Sequence, residues 1–347
     1  MKSTPIDLRS DVLAPPTAEM WEAMRSAELG WATVGEDPSV NELQERMAGL
    51  LGKEAALWAP TCGMANLVAL LTVAPRGSTV VLEASSHVLT SEAMGIEAIA
   101  GLEPWSLWAD DGRLDPGEVE EAIVETGALM LVLENTHTRA GGTVLTPELT
   151  AELARAAQGH GAYVHLDGAR LFNAAVALGI PVSELAAPVN TVAVSLNKGL
   201  CAPIGAVLAG RAQVIELAHE TLRRLGGASV HKAGSAAAAS LVALDTLVEQ
   251  LADDHRRARE LGALLQAVPG LEVDPGQIET NIVLVGVSGT ELDPEEFLRL
   301  LAERGVLGLE RDTSRVRFVT HRLIGDDEIS RAAEIVAALA AEHSPRA

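Results

Sequence analysis

The sequence has few of the residues from which cross-linked, metal-binding or nucleic-acid-binding proteins are built. Among its 347 residues are only two cysteines, Cys62 and Cys201, whose separation fits neither a disulfide framework nor metal-ligand spacing. We therefore expect no metal site. Basic residues number 26 against 48 acidic residues, a net charge of −22, which opposes binding to nucleic acid or to anionic membranes.

Long apolar runs are also missing. No run approaches the roughly 18 residues that a membrane span needs, and the first residues contain no apolar segment of the kind found in signal peptides. These two absences predict a cytoplasmic protein with no membrane partner. Hydrophobic residues make up 48% and charged residues 21%, which is typical of a globular protein. The chain length favours about two domains.

What the sequence does contain is a regular alternation of two patterns. Short apolar segments rich in β-branched residues alternate with stretches of helical period, which indicates an α/β fold with a mostly parallel sheet covered on both faces. Strands are predicted at residues 79–82, 128–133, 163–166, 191–195 and 206–209. A helix is predicted over residues 147–160, with Thr146 or Thr150 as its cap.

The C-terminal part follows a different pattern. Residues 236–267 are almost all helix formers, which predicts one long helix that leaves the large domain. Beyond it, strands are predicted at residues 281–287, 305–310 and 316–320, and a closing helix at 326–342. The predicted organisation is therefore an N-terminal segment (1–20), a large domain (21–245) and a small α+β domain (246–347).

A turn of small residues opens a predicted helix near the N-terminus. Thr61, Cys62 and Gly63 precede an apolar helical run, so free backbone N–H groups and the positive end of the helix dipole would be available to a phosphate. Alone, the pattern is a weak indication, because many tight turns before helices bind nothing.

Two later strands are each followed by residues that carry chemistry. Asp167 and Arg170 follow the strand at 163–166, and carboxyl ends of parallel strands are where open α/β sheets bind ligands. An aspartate facing a pyridine nitrogen would hold it protonated, although a structural salt bridge would explain the pair equally well. Lys198 follows the next strand, where burial would disfavour the ammonium ion and favour the neutral amine that forms imines.

Several motifs stand in one order along nearly the whole chain. They are Asp7-Leu8-Arg9-Ser10-Asp11, Gly35-Glu36-Asp37-Pro38, Glu134-Asn135-Thr136-His137, Ala140-Gly141-Gly142, His165-Leu166-Asp167-Gly168-Ala169-Arg170, Lys198-Gly199-Leu200 and Arg317-Phe318-Val319-Thr320-His321. With them the sequence resembles the low-specificity L-threonine aldolases, in the threonine aldolase/β-eliminating lyase group of fold-type I pyridoxal 5′-phosphate (PLP) enzymes.

The resemblance implies a fold, a cofactor and a reaction. It implies an aspartate aminotransferase-like large domain, PLP as cofactor, and retro-aldol cleavage of an L-β-hydroxy-α-amino acid to glycine and an aldehyde. It also implies a homodimer or homotetramer with sites at subunit interfaces. Two other readings remain open: β-elimination, racemisation or transfer on a related amino acid, and a non-catalytic PLP-binding protein.

The resemblance also implies roles for individual residues. Lys198 would be the Schiff-base lysine, Asp167 the partner of the pyridine nitrogen, and His87 the imidazole stacked on the PLP ring. Ser10 and Arg317 would hold the substrate carboxylate, with Arg170 near it and near the cofactor, and Thr61, Cys62 and Gly63 would contact the phosphate. His137 would lie near the reacting hydroxyl, so either His87 or His137 could be the base.

The chain departs from the family pattern at positions near the substrate. Val34 and Ser91 stand where the family usually has tyrosines. Exchanging two aromatic rings for smaller side chains would enlarge the pocket and remove two phenolic donors. We therefore expect a substrate that can be bulkier than threonine. The phosphate turn is altered too, with Cys62 and Gly63 in place of the usual glycine and threonine.

Overall fold

The computed structural model describes residues 4–92 and 95–344, which divide into two compact units. The larger unit consists of Pro15–Ala140 and Val144–Val248, and the smaller of residues 4–14, Gly141–Thr143 and residues 249–344. The smaller unit is thus assembled from three separate stretches of the chain.

The strands of the described residues are, in chain order, β1 (Ile6–Asp7), β2 (Ala55–Ala59), β3 (Thr79–Glu83), β4 (Glu103–Leu107), β5 (Met130–Glu134), β6 (Tyr163–Asp167), β7 (Thr191–Ser195), β8 (Ala206–Gly210), β9 (Ile282–Gly286), β10 (Val306–Leu307), β11 (Leu309–Glu310) and β12 (Arg315–Val319). The helices are α1 (Ala18–Ser26), α2 (Pro38–Leu51), α3 (Cys62–Val73), α4 (His87–Thr90), α5 (Pro116–Thr126), α6 (Pro147–Gln158), α7 (Leu171–Leu178), α8 (Val182–Ala186), α9 (Ala212–Arg224), α10 (Ala233–Thr246), α11 (Leu251–Gln266), α12 (Pro294–Glu303) and α13 (Asp326–His343).

The larger unit is built on one seven-stranded sheet. Its strand order is β2-β8-β7-β6-β5-β3-β4, and the neighbours from β7 to β4 pair in parallel. Only β8 runs against its two neighbours. The central strands β5, β7 and β8 are buried along their whole length, as expected where helices cover both faces of a sheet. The predicted α/β fold is confirmed.

Helix ends follow local rules that the sequence already contains. Thr146 caps α6, since its hydroxyl accepts the backbone N–H of Leu149, whereas Thr150 lies inside the helix. Thr61 caps α3 in the same way by accepting the N–H of Met64. A hydroxyl at this position satisfies one of the four N–H groups that have no partner within the helix.

The smaller unit has its own core and its own sheets. Strands β11, β12 and β9 form an antiparallel sheet, and β1 pairs in parallel with β10. Their inner faces meet α11, α12 and α13 in a cluster that includes Phe297, Phe318, Leu261 and Val336. This is a small α+β unit, as the sequence predicted.

The prediction of one helix over residues 236–267 is wrong. The helix stops at Thr246, residues 247–250 form a turn, and α11 begins at Leu251. No glycine or proline marks the break. Helix α10 packs on α1 and α2 in the larger unit, whereas α11 packs on α13 and β9 in the smaller one, so tertiary packing overrides the helix propensity of the segment.

The strand predicted at residues 305–310 is also divided. Gly308 separates β10, which pairs with β1, from β11, which pairs with β12. A Cβ atom at Gly308 would lie 2.6 Å from Cε1 of Phe318. Only glycine lets the backbone pass this close to the buried ring, and the strand changes sheets at that point.

In the described residues, no single helix is long and apolar enough to cross a membrane. Helices α10 and α11 have the necessary length and composition only when they are counted together.

Candidate active site

Three neighbouring strands of the larger sheet each end in a buried carboxylate. Glu83, Glu134 and Asp167 are the last residues of β3, β5 and β6, and each follows buried residues of its own strand. Glu134 and Asp167 are direct neighbours in the β5–β6 register. Because the three strands are parallel, their carboxyl ends share one edge of the sheet, where ligands bind in open α/β folds.

Asp167 is held in place by three donors. Asn66 Nδ2 donates to its Oδ2 over 3.0 Å, while Oδ1 accepts from the backbone N–H of Ala169 at 3.1 Å and lies 3.8 Å from Cys62 Sγ. The side chain is 1% exposed. Burial raises the pKa of Asp167 to about 6, and the nearby Glu134 and Glu92 add to the effect, because charged groups are disfavoured without water and beside like charges.

The orientation of the Asn66 amide is fixed by a buried histidine. His165, two residues before Asp167 and buried, lies with Nε2 3.0 Å from Asn66 Oδ1 and Nδ1 3.0 Å from Thr191 Oγ1. Burial lowers the pKa of His165 to about 3, so the ring is neutral. Since an amide oxygen only accepts, Nε2 of His165 donates to Asn66 and Nδ1 accepts from Thr191.

His87 lies at the start of α4, just after β3, with 38% of its side chain exposed. Its Nδ1 is 3.0 Å from Oε1 of Glu92. Its backbone N–H donates to Oε2 of Glu134 over 2.7 Å, and the N–H of Thr138 donates to Oε1 of the same carboxylate over 2.8 Å. Burial alone would raise the pKa of Glu134, but His137 and these two N–H groups lower it overall.

His137 is the more deeply placed of the two candidate bases. It is 1% exposed, its Nε2 lies 2.9 Å from Glu83 Oε2, and its Nδ1 accepts the N–H of Ala140 at 3.3 Å. Burial would raise the pKa of Glu83, but His137 and Ser85 lower it overall. Both ring nitrogens of His137 thus hold the surrounding loop, whereas His87 is partly open to solvent.

Lys198 lies in the connection between β7 and β8, three residues after the end of β7, and is half-buried. The carbonyl of Lys198 accepts the N–H of Cys201 over 2.8 Å, which closes a tight turn. Cys201 adopts a φ of 57°, a left-handed conformation that favours glycine. This explains why a glycine suits the position that Cys201 fills here.

The turn at Thr61 presents free backbone donors. The first helical bond of α3 runs from the N–H of Ala65 to the carbonyl of Thr61, so the N–H groups of Cys62 and Gly63 lie outside the helical ladder. Cys62 also approaches Asp167, and burial raises the pKa of its thiol well above the usual value. The turn could therefore hold an anion near Asp167.

Arg170 directly precedes α7 and is buried, with Nη1 donating to Thr138 Oγ1 over 3.0 Å. Thr138 in turn binds Glu134 through its N–H. Arg170 therefore belongs to the same polar edge as Asp167 and Glu134, as the sequence indicated.

Of the other four predicted substrate residues, two lie in each unit. Ser10 and Arg317 belong to the smaller unit, where Arg317 Nη2 donates to the carbonyl of Arg9, the residue before Ser10, over 3.3 Å. Val34, 54% exposed, borders a cavity of about 380 Å³ beside Trp58. Ser91 directly follows α4 and is exposed, with its N–H donating to the carbonyl of His87.

Sequence reasoning missed several polar residues of this site. Glu83, Glu134 and Asp167 all follow the same pattern, an apolar strand that ends in an acid, and this signal could have identified the first two. Glu92 and the structural role of Asn66 carry no such signal, because Glu92 does not end a strand and the acidic partners of Asn66 lie 26 and 101 residues along the chain.

A family model described as "Beta-eliminating lyase" matches residues 7–288 of the chain. The chain belongs to the beta-eliminating lyase family. The resemblance found in the sequence is thereby confirmed, and as a member of this family the protein is a lyase.

Two threonine aldolases are similar to this chain over most of its length. Low-specificity L-threonine aldolase 1 of Arabidopsis thaliana is 37% identical, covering 93% of each chain. Low specificity L-threonine aldolase of Escherichia coli K12 is 36% identical over 74% of this chain and 80% of its own.

Solved structures agree on the fold. The threonine aldolase of Leishmania major superposes with a TM-score of 0.81 at 19% identity, covering 97% of this chain and 100% of its own. An aspartate aminotransferase from Rhodobacter sphaeroides superposes with a TM-score of 0.77 at 18% identity, covering 99% and 94%. The expected aspartate aminotransferase-like fold is confirmed.

Proposed function

We propose that this beta-eliminating lyase family member uses PLP to cleave an L-β-hydroxy-α-amino acid, threonine-like or bulkier, to glycine and an aldehyde. The observation that supports this most is the buried Asp167, fixed by Asn66 at the carboxyl end of β6. The names of the threonine aldolases to which the chain is similar over most of its length support the same reaction.

The donor set of the site suits PLP. Lys198 supplies an amine on a tight turn, Asp167 supplies a buried acid for the pyridine nitrogen, and the N–H groups of Cys62 and Gly63 supply anion donors beside it. His87 is the partly exposed ring that would lie against the cofactor, and Arg170 would lie near it. When bound, PLP accepts the electron pair of the Cα–Cβ bond that breaks.

The protein's own residues orient the substrate and move protons. Ser10 and Arg317 are the proposed partners of the substrate carboxylate, since a guanidinium binds a carboxylate through two parallel hydrogen bonds. His87 is the proposed base that takes the proton of the β-hydroxyl oxygen. His137 is proposed to hold the loop near the hydroxyl through Glu83 and Ala140. Val34 and Ser91 are proposed to leave room for a larger aldehyde group.

The cofactor claim is tested by locating its attachment. The chain contains four lysines, Lys2, Lys53, Lys198 and Lys232. After incubation with PLP and reduction with borohydride, peptide mass spectrometry should find the pyridoxyl group on Lys198, and the Lys198→Ala protein should have no visible absorbance band. A label spread over the other lysines, or a colourless wild type, would disprove the cofactor claim.

The reaction is tested with three substrates. Purified protein with PLP is incubated with L-threonine, L-allo-threonine or L-phenylserine, and aldehyde and glycine are measured. We expect equal amounts of the two products, with L-phenylserine at least as good as threonine because Val34 and Ser91 replace tyrosines. Absence of aldehyde from all three, together with pyruvate or a D-amino acid from another substrate, would point to elimination or racemisation instead.

We further propose that the protein is a cytoplasmic homodimer or homotetramer with sites at subunit interfaces. Light scattering on the purified protein should give two or four times the chain mass of 36.3 kDa. A monomer with full activity would contradict the interface claim.

A further inference from the structure

Glu92 lies where two polar contacts of the candidate active site meet. Its Oε1 is 3.0 Å from His87 Nδ1 and 3.0 Å from Asn66 Nδ2. The side chain is 11% exposed. A Cβ atom at Gly63 would lie 3.3 Å from Glu92 Cδ, so the lack of a side chain at Gly63 leaves room for this carboxylate.

The contact with Glu92 decides which nitrogen of His87 carries a proton. An ionised carboxylate has only acceptors, so Nδ1 of His87 must donate to it. In the neutral ring, Nε2 then carries the lone pair. The same reasoning applies to Asn66, whose Nδ2 donates one hydrogen to Glu92 and the other to Asp167 Oδ2.

These contacts form a continuous chain of hydrogen bonds from one reactive group to another, in which Glu92 accepts at both of its contacts and Asn66 Nδ2 donates at both. It runs from His87 through Glu92 and Asn66 to Asp167. His165 donates to the amide oxygen of Asn66, which stops the amide from turning over. The orientation of the candidate base and that of the buried acid are therefore linked through a single carboxylate.

We propose that Glu92 is a positioning residue that holds His87 in its Nδ1–H tautomer and strengthens it as a base. Only the part that concerns catalysis rests on the proposed function, since tautomer and proton affinity belong to the protein without cofactor. The role is that of the carboxylate that orients a catalytic histidine elsewhere in enzymology.

The charges around His87 agree with this role. The hydrogen bond to Glu92 is the main cause that raises the pKa of His87. Burial and Lys198 act in the opposite direction, while Asp167 and Glu134 raise the pKa further. Removing the charge of Glu92 should therefore lower the proton affinity of the His87 ring, while the effects of Lys198, Asp167 and Glu134 stay as they are.

The first experiment uses protein without PLP and needs no activity. Histidine rings are labelled with ¹⁵N and titrated by NMR, and the His87 signal is identified by its loss in His87→Gln. We expect the Nδ1–H tautomer in the wild type and a lower titration midpoint for His87 in Glu92→Gln, which preserves shape and hydrogen bonding. Glu97→Gln, at an exposed glutamate five residues on, should leave both unchanged.

The second experiment uses the loaded enzyme. The acidic limb of the pH profile of kcat/KM should move to lower pH in Glu92→Gln and stay in place in Glu97→Gln. An Nε2–H tautomer in the wild type, or an unchanged His87 midpoint in Glu92→Gln, would overturn the positioning role even if the enzyme cleaves its substrate. The expected NMR results without any aldehyde formation would support the positioning role and refute the proposed function.

Discussion

Asn66 and Asp167, 101 residues apart in the chain, are joined by a hydrogen bond of 3.0 Å from the amide Nδ2 to the carboxylate Oδ2. One residue lies on α3 and the other at the end of β6. The orientation of the buried acid therefore depends on the packing of a helix whose start also forms the candidate anion-binding turn.

Asn66→Ala should destabilise the protein without PLP by about 2 to 3 kcal/mol, since it leaves His165 Nε2 and one oxygen of Asp167 buried without this partner. Urea unfolding measures the change. Asn41→Ala is the control, because the exposed side chain of Asn41 donates only to the carbonyl of Gly35, and the substitution should cost less than about 1 kcal/mol. Equal effects of the two substitutions would contradict the central role of Asn66.

Asp167 makes stability depend on pH in an unusual direction. Its pKa is about 6 in the folded protein against 3.8 for a free aspartate, so the folded state holds its proton more tightly than the unfolded state. The contribution of this proton to the free energy of unfolding is fully present below about pH 4 and is lost as the pH rises through about 6. Between about pH 4.5 and about pH 7.5 the loss amounts to roughly 2 kcal/mol.

Asp167→Asn removes this titration. As the pH rises from about 4.5 to about 7.5, the free energy of unfolding of the variant should increase by roughly 2 kcal/mol relative to that of the wild type. Urea unfolding without PLP measures this change, which does not depend on the absolute stability of the variant. Asp110→Asn, at an exposed aspartate, should show no such gain. A constant difference between Asp167→Asn and the wild type at every pH would show that burial of Asp167 is not costly.

Truncation of His137 should destabilise the protein much more than truncation of His87. His137→Ala leaves Glu83 buried without its imidazole partner and should cost about 3 kcal/mol of stability, whereas His87→Ala, at a partly exposed side chain, should cost less than about 1 kcal/mol. The cost of His137→Ala should shrink as pH falls, because protonated Glu83 is no longer an unpaired charge.

Activity should separate the same two variants. If His87 is the base, His87→Ala should lower kcat by at least about 100-fold while its unfolding midpoint stays near that of the wild type. Full activity of folded His87→Ala would show that another group is the base.

Cys62 should react slowly with alkylating reagents despite its place beside a ligand site. Burial and the Asp167 carboxylate raise the pKa of the thiol, and the thiolate is the reactive form. At about pH 8, iodoacetamide should modify Cys62 at least about tenfold more slowly than free cysteine, as followed by peptide mass spectrometry. In urea the difference should disappear, and fast labelling of the folded protein would contradict the raised pKa of the Cys62 thiol.

The sequence by itself determined five strands of the larger sheet, the acid Asp167 at the end of one of them and the place of Lys198 after another. Residues 163–166 were predicted as a strand, and the acid that follows it, Asp167, is at the expected edge of the sheet. Lys198 follows β7 in the same way. Such features are encoded locally, in the alternation of apolar and polar residues and in residues that end strands and cap helices.

Only the tertiary structure decided which polar groups meet and where the long helical segment breaks. Residues 236–267 have helix propensity throughout, yet the turn at 247–250 follows from two cores that each bury one half. Glu92 is unremarkable in the sequence. Its contact with His87, five residues away, is local, but its contact with Asn66 arises only when α3 lies beside the segment that follows β3. Local pattern does not encode contacts between distant residues, because they depend on the packing of whole elements.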